Sequence, residues 1–304
     1  MGALIWLALP LGAAGAAALL IEEMYRHVFT RGGSPVLTPL LDKKDHAPDY
    51  YVHRDGAAER LRARRQERMS LLSSRGERLK GFYFDNGARG KRIAFLVHGY
   101  RSEHAETAGM YYDFYHRRGI DLFCCDHAAH GESVGEQIGF GAIECEDCLL
   151  WLDELIRRFG EDTQILLHGF SMGAATVLKM SDRCPRQVKF IVADSGYMDG
   201  RIQLKGQLGP LLTPLRLMNW RRAGYDLRQT DVRPSLDRAG IPILFVHGEL
   251  DKTVPFVNGP RLMNYYQGPR EQLFVPGAKH VESMHVSPEA YEKKLDAMLQ
   301  KYMK

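Results

Sequence analysis

The sequence predicts an α/β protein in which a mostly parallel central sheet carries helices on both faces. Six short, mostly apolar runs have the form of strands buried on both faces, at 93–97, 120–125, 164–167, 188–193, 243–246 and 272–275. Helical patterns lie between several of these runs, at 104–118, 141–159, 172–182 and 287–302. Strands that alternate with helices favour parallel pairing, with the helices covering both faces of the sheet.

Two segments depart from this alternation. Residues 79–85 predict an additional strand, and the Asn86-Gly87 pair that follows is a common signal for a hairpin turn. Residues 200–235 interrupt the pattern with Gly, Pro and an apolar cluster. We interpret an insertion at about 197–235 as a small cap over the ligand-binding edge of the sheet.

The composition limits the class of protein. The chain has 304 residues, 45% of them hydrophobic and 26% charged, with a net charge of +4. These proportions are typical of globular proteins rather than disordered or polytopic membrane proteins. The mild charge, without a zinc-finger, RNA-binding or helix-turn-helix motif, argues against a nucleic-acid partner. Five cysteines, two of them adjacent, do not resemble a disulfide framework and indicate a reducing, cytosol-facing environment.

The amino-terminal segment is apolar and then basic. Residues 3–21 contain no charged side chain and can just cross a hydrocarbon core of roughly 30 Å. We predict that residues 1–21 form a single membrane anchor; a buried core helix is the alternative, and the missing basic start argues against a signal peptide. The basic residues that follow place the body of the protein in the cytoplasm by the positive-inside rule; they are Arg26, Arg31, Lys43 and Lys44.

Residues 22–77 predict a linker with a basic helical segment, and residues 78–304 predict the folded domain. Pro35, Pro39 and Pro48 interrupt regular structure, and six arginines follow between 54 and 68. We interpret these arginines as the solvent-exposed face of a helix. The alternative is that they are attracted to anionic lipid head groups.

A serine motif supplies the candidate nucleophile. Residues 169–173 have the sequence Gly-Phe-Ser-Met-Gly, after the strand at 164–167 and before a helical pattern. In this strand–turn–helix setting the central serine, here Ser171, lies on a strained turn with its hydroxyl exposed. A serine hydroxyl is a weak nucleophile at neutral pH, so it needs a base and the base needs an orienting acid.

The acid and the base are expected later in the chain, in that order. Asp251 ends the run His-Gly-Glu-Leu-Asp after the strand at 243–246, and His280 ends Gly-Ala-Lys-His after the strand at 272–275. Functional loops collect at the carboxyl ends of such strands. Glu249 and His285 are the fallback acid and base.

The oxyanion of an acyl-transfer reaction needs two backbone donors. The amide of Met172, directly after the serine, is one candidate, and the amide of Tyr100 in the loop after the strand at 93–97 is the other. We predict a structural role for the ring of His98 in the same loop.

Taken together, these motifs resemble the serine hydrolases of the α/β-hydrolase superfamily over roughly residues 78–304. The chain is most similar to the branch of monoacylglycerol lipase-like, lysophospholipase-like and serine aminopeptidase-like enzymes. The resemblance rests on His98-Gly99, the segment 126–133, the serine motif, the segment 242–255, and 277–280. It implies an α/β-hydrolase fold, a triad of Ser171, Asp251 and His280, and oxyanion donors at Tyr100 and Met172. It implies no cofactor and no metal. The loop at 128–131 departs from the family because it lacks the usual Arg before His-Gly.

Three functions follow as hypotheses. The first is a membrane-tethered serine hydrolase acting on a small-molecule or lipid acyl ester. The second is a peptidase or amidase with the same chemistry, and the third is a non-catalytic binding protein. The Cys145 and Cys148 pair resembles a redox motif, but it lies within a predicted helix and is expected to pack in the core. The sequence leaves the substrate and the oligomeric state open.

Overall fold

The computed structural model describes residues 2–41 and 46–303, with side chains from residue 15 onward. Its centre is an eight-stranded sheet with the order β1-β2-β4-β3-β5-β6-β7-β8. The strands are β1 (Glu67–Leu72), β2 (Arg78–Phe84), β3 (Arg92–Val97), β4 (Asp121–Asp126), β5 (Gln164–Phe170), β6 (Val188–Asp194), β7 (Ile243–Gly248) and β8 (Arg270–Val275). The six strands from β3 onward pair in parallel, and β2 pairs antiparallel with β1 and β4. The predicted mostly parallel sheet is confirmed.

Helices cover both faces of this sheet. They are α1 (Gly2–Phe29), α2 (Thr38–Leu41), α3 (Pro48–Arg62), α4 (His104–His116), α5 (Glu144–Phe159), α6 (Met172–Lys179), α7 (Gly200–Leu208), α8 (Leu212–Ala223), α9 (Arg233–Leu236), α10 (Asn258–Tyr265), α11 (Ser283–Val286) and α12 (Pro288–Tyr302). Because successive strand residues point to opposite faces, Phe95 belongs to the core cluster that contains Trp151 of α5, whereas Leu96 belongs to the cluster that contains Phe114 of α4. The apolar runs are strands because both of their faces are buried.

The hairpin predicted at Asn86-Gly87 is wrong. The chain turns there, but β4 lies between β2 and β3 in the sheet. The turn is held by β4 instead, since the backbone N–H of Asn86 donates to Asp121 Oδ1 at 2.7 Å and its side-chain amide donates to the Ile120 carbonyl at 2.9 Å. A local turn signal does not identify which strand becomes the neighbour.

The described residues between 22 and 77 are part of the folded body. The sheet begins at residue 67, before the boundary predicted at 78, because β1 adds an antiparallel edge strand. Helix α3 packs closely on α4, where a Cβ at Gly109 would lie 2.7 Å from the carbonyl oxygen of Ala57. Pro48 does not interrupt this helix but begins it, since proline fits the first helical turn.

The end of α1 is also buried, and the cap packs against it. Tyr25 and Phe29 are 1% and 0% exposed, in a cluster that includes Leu204 of α7 and Leu215 of α8. Helices α7, α8 and α9 lie between β6 and β7, in the region where the cap insertion at about 197–235 is predicted.

Among the helices of the described residues, none combines the length and the apolarity needed to cross a membrane. Side chains are described only from residue 15 onward, so most side chains of the anchor predicted for residues 1–21 lie outside the described part of the chain.

Candidate active site

Ser171 lies on the turn between β5 and α6, in a backbone conformation that its glycine neighbours make accessible. Its φ and ψ are 53° and −115°, a strained conformation for a residue with a side chain. A Cβ at Gly173 would overlap the carbonyl oxygen of Val97, and one at Gly169 would overlap the carbonyl of Gly173. The two glycines of the motif therefore let the turn approach β3 and close on itself.

The structure brings Asp251 and His280 to this serine. Nδ1 of His280 lies 2.8 Å from Asp251 Oδ2, and Nε2 of His280 lies 2.9 Å from Ser171 Oγ. An ionised carboxylate can only accept, so Nδ1 carries the proton and Nε2 accepts from the serine hydroxyl. This is the arrangement that transfer of a proton from Ser171 to His280 requires.

The carboxylate of Asp251 is buried, and both of its oxygens accept hydrogen bonds. Its Oδ1 accepts from the N–H of Val254 at 2.8 Å, and His247 Nε2 lies 3.3 Å from Oδ2. Burial by itself would raise the pKa of Asp251, but hydrogen bonds from His247 and His280 outweigh burial and lower the pKa to about 2. Asp251 is therefore ionised at neutral pH.

Glu249 and His285, the alternative acid and base, are not part of the hydrogen-bond chain from Ser171 through His280 to Asp251. Nε2 of His285 is 3.2 Å from Asp49 Oδ2, and its Nδ1 is 3.2 Å from Nδ1 of His53. Glu249 is exposed, and Asp251 rather than Glu249 contacts His280.

The loop after β3 runs directly over the serine. A Cβ at Gly99 would lie 3.1 Å from the carbonyl oxygen of Phe170 and 3.2 Å from Ser171 Cβ. Tyr100 follows Gly99, and Met172 begins α6 on the other side of Ser171. The buried ring of His98 accepts from the N–H of His127 at 3.0 Å, so its other nitrogen donates to the Gly99 carbonyl at 2.8 Å. His98 has the structural role predicted for it.

A cavity of about 180 Å³ opens beside Ser171. It is lined by aromatic, apolar and charged side chains, among them His46, Tyr50, Arg54, Tyr100, Glu106, Met110, Tyr111 and Phe170. Of the described residues that line it, none belongs to the cap at 197–235, which was expected to cover this edge. Helix α3 and His46, in the segment predicted as a linker, form one wall instead.

Hydrogen bonds tie this amino-terminal wall to the loop that carries His280. Nδ1 of His46 lies 2.8 Å from Glu282 Oε1, and Glu282 Oε2 accepts from the N–H of Lys279 at 3.1 Å. The ring of Tyr50 stacks on His46 with 4.4 Å between centroids. Sequence reasoning missed these residues because no local pattern connects residue 46 with residue 282.

The cysteines are packed in the core. Cys145 and Cys148 lie in α5 and are 1% and 0% exposed, as predicted. Within the described chain, one atom each of Cys125, His127 and Cys148 lies within 4.8 Å of the others, a grouping that could hold a metal ion. Burial raises the pKa of the Cys148 thiol well above its ordinary value, so this thiol is neutral when no metal ion is bound.

Comparison with known proteins agrees with this architecture. The family model described as serine aminopeptidase, S33, matches residues 88–225. An uncharacterised protein of Bacillus subtilis, YqkD, is 26% identical over 190 residues, which are 60% of this chain and 62% of YqkD. The chain thus spans less than two thirds of that relative. The human alpha/beta hydrolase domain-containing protein 17B is 24% identical over 218 residues, 68% of this chain and 67% of the relative.

Solved structures show the same fold. The Pyrococcus furiosus esterase Pf2001 superposes with a TM-score of 0.63 at 19% identity, covering 79% of this chain and 94% of the esterase. Est1E from Butyrivibrio proteoclasticus, solved with ferulic acid bound, has a TM-score of 0.63 at 18% identity, with 76% and 99% covered. The chain therefore has the α/β-hydrolase fold of these esterases, and its residues 88–225 match the serine aminopeptidase family model.

Proposed function

We propose that this protein is a serine hydrolase that cleaves an acyl ester through a covalent intermediate on Ser171. The observation that carries the proposal is the continuous hydrogen-bond chain from Ser171 Oγ through His280 to Asp251, with distances of 2.9 and 2.8 Å. A nucleophile, a base and an orienting acid in this geometry are the parts that acyl transfer needs.

The reaction proceeds in two halves. Ser171 Oγ attacks the acyl carbonyl carbon while His280 Nε2 takes the hydroxyl proton, and the backbone N–H groups of Tyr100 and Met172 stabilise the oxyanion. The C–O bond to the alcohol then breaks, and the protonated His280 donates that proton to the leaving oxygen. Water, deprotonated by His280, then attacks the acyl carbon. The bond from that carbon to Ser171 Oγ breaks, His280 returns the proton to the serine oxygen, and the carboxylic acid leaves.

The cavity favours a short acyl or alcohol group. Its volume of about 180 Å³ is smaller than the roughly 300–1,000 Å³ that is typical of pockets for drug-sized ligands. Tyr50, Met110 and Phe170 offer apolar contacts to such a group. A lipid chain would have to extend beyond these walls, so lipidic esters are the less favoured substrates.

Peptide or amide hydrolysis is the second candidate, and the match to the serine aminopeptidase family favours it. A peptide amine would need an acidic partner in the cavity, and Glu106 is the acidic side chain that lines its described part. Glu106 is already engaged, because it accepts from Ser102 Oγ at 3.0 Å and lies 3.5 Å from the guanidinium of Arg54. Ester cleavage is therefore favoured over amide cleavage.

Labelling with a fluorophosphonate probe tests the proposal. The purified protein should bind one probe per chain, and mass mapping should place the adduct on Ser171. Ser171→Ala should abolish labelling, whereas Ser102→Ala, which removes another hydroxyl of the same cavity, should retain it. A well-folded wild-type protein without any adduct would contradict the proposal and support the non-catalytic binding role.

We also propose that α1 attaches the protein to a membrane. The support is the absence of charge in residues 3–21 and the exposure of apolar side chains on this helix, with Leu19 69% and Leu20 48% exposed. The full-length protein should sediment with membranes and be released by detergent but not by high salt. Protein that stays in the supernatant of a high-speed spin without detergent would contradict the attachment.

A further inference from the structure

A second hydrogen-bond network lies behind the Ser171–His280–Asp251 chain, at the carboxyl end of β6. Its centre is the pair Asp194 and Ser195, both fully buried. The carbonyl oxygen of Asp194 accepts from the N–H of Ser171 at 2.8 Å. The hydroxyl oxygen of Ser195 accepts from the N–H of Val281, the residue after His280, at 3.2 Å. The pair therefore contacts the backbone of the nucleophile and the backbone of the base.

The donor and the acceptor of each hydrogen bond in this network can be assigned by starting from the carboxylate of Asp194, because a carboxylate only accepts. Asp194 accepts from the Ser195 hydroxyl at 3.0 Å and from the Tyr291 hydroxyl at 2.8 Å. Since Tyr291 donates to Asp194, its oxygen accepts from Nε2 of His168 at 2.9 Å. The other nitrogen of His168 then accepts from the Tyr115 hydroxyl at 2.9 Å. Each of these hydrogen bonds then has one donor and one acceptor, and the Ser195 oxygen is left to accept from the N–H of Val281.

The network joins three strained residues. Ser171, Ser195 and Val281 have φ values of 53°, 57° and 58°, although none of them is glycine. Such conformations cost free energy and persist only where surrounding contacts hold them, most clearly for a β-branched valine. The hydrogen bond from Val281 to Ser195 is a contact that holds the backbone next to His280.

We propose that Ser195, oriented by Asp194, is a positioning residue that sets the imidazole of His280 against the hydroxyl of Ser171. This inference rests on the proposed ester hydrolysis. Without the Ser195 hydroxyl, the Val281 N–H loses its acceptor and the loop relaxes, which moves Nε2 of His280 relative to Ser171 Oγ. A displacement of about 1 Å in a catalytic group costs on the order of 10²-fold in rate.

Ser195→Gly tests the role, because glycine accepts a positive φ and removes the hydroxyl without adding backbone strain. With a short-chain p-nitrophenyl ester, kcat should fall about 10- to 100-fold while KM stays within about 2-fold. The melting temperature should stay near that of the wild type. Ser195→Ala should lower kcat similarly but melt below Ser195→Gly, because alanine keeps the positive φ of the wild-type serine, which glycine adopts without strain.

A matched control is Ser235→Ala, which removes a buried hydroxyl that donates to the Lys179 carbonyl, away from the cavity. This variant should keep its kcat. An unchanged kcat in Ser195→Gly, or a rise in KM alone, would overturn the positioning role. Ester hydrolysis would still be supported in that case, provided that the wild-type protein is labelled and active. If the wild type neither labels nor hydrolyses the ester, the proposed function fails and the positioning role fails with it.

Discussion

Asp251→Asn is expected to lower kcat by about 10⁴-fold with little change in KM. The carboxylate accepts the proton of His280 Nδ1 at 2.8 Å and so keeps Nε2 free to accept from Ser171. An asparagine amide can donate to Nδ1, which moves the ring proton to Nε2 and prevents it from acting as a base. Steady-state kinetics on a short-chain ester measure the effect, with circular dichroism to verify folding.

Glu249→Gln is the matched control, because it removes an exposed carboxylate of the same loop without affecting the contact to His280. It should keep kcat within about 2-fold, as surface substitutions have small effects. A comparable loss in both variants would contradict the role of Asp251.

The lowered pKa of Asp251 adds a stability signature to the same comparison. The pKa of this carboxyl is near 4 in the unfolded chain and about 2 in the folded protein. The shift therefore stabilises the native state at pH values above about 4. That contribution, about 2 kcal/mol, disappears as the pH falls from about 4 to about 2. The gap in unfolding free energy between wild type and Asp251→Asn, measured with urea, should therefore narrow over this range.

Gly173→Ala is expected to destabilise the protein by at least about 4 kcal/mol, which few single substitutions do. Its Cβ would overlap the carbonyl oxygen of Val97, and His98 O is also close. These are backbone atoms of β3 and its loop, so no side-chain rotation relieves the clash. Thermal unfolding of the purified variant, or its loss to the insoluble fraction on expression, measures the effect.

Gly206→Ala provides the contrast. This glycine lies inside α7, and a Cβ there would meet no atom within 4 Å. Alanine is the better helix former, so the substitution should stabilise the protein by about 0.5–1 kcal/mol. If Gly173→Ala and Gly206→Ala both melt at the wild-type temperature, the close approach of the Ser171 turn to β3 does not require glycine at position 173.

The residues of the candidate site could be predicted from sequence because their signals are local. Ser171, Asp251 and His280 each follow an apolar strand within a few residues, and the carboxyl ends of parallel strands meet at one edge of the sheet. Ser195 also follows a strand, β6, but a single serine without a flanking motif carries no such signal. Its role depends on Val281, which lies far along the chain.

The sequence alone determines the composition, the alternation of strands and helices, and the order of the serine, the acid and the base. They depend on periodicity and turn chemistry, which act over a few residues. The tertiary structure decided which strand lies beside β2, and that His46 and α3 rather than the cap form the wall of the cavity. Those outcomes depend on contacts such as His46 with Glu282, 236 residues apart. Such pairings are selected by the packing of the whole chain, and no local pattern encodes them.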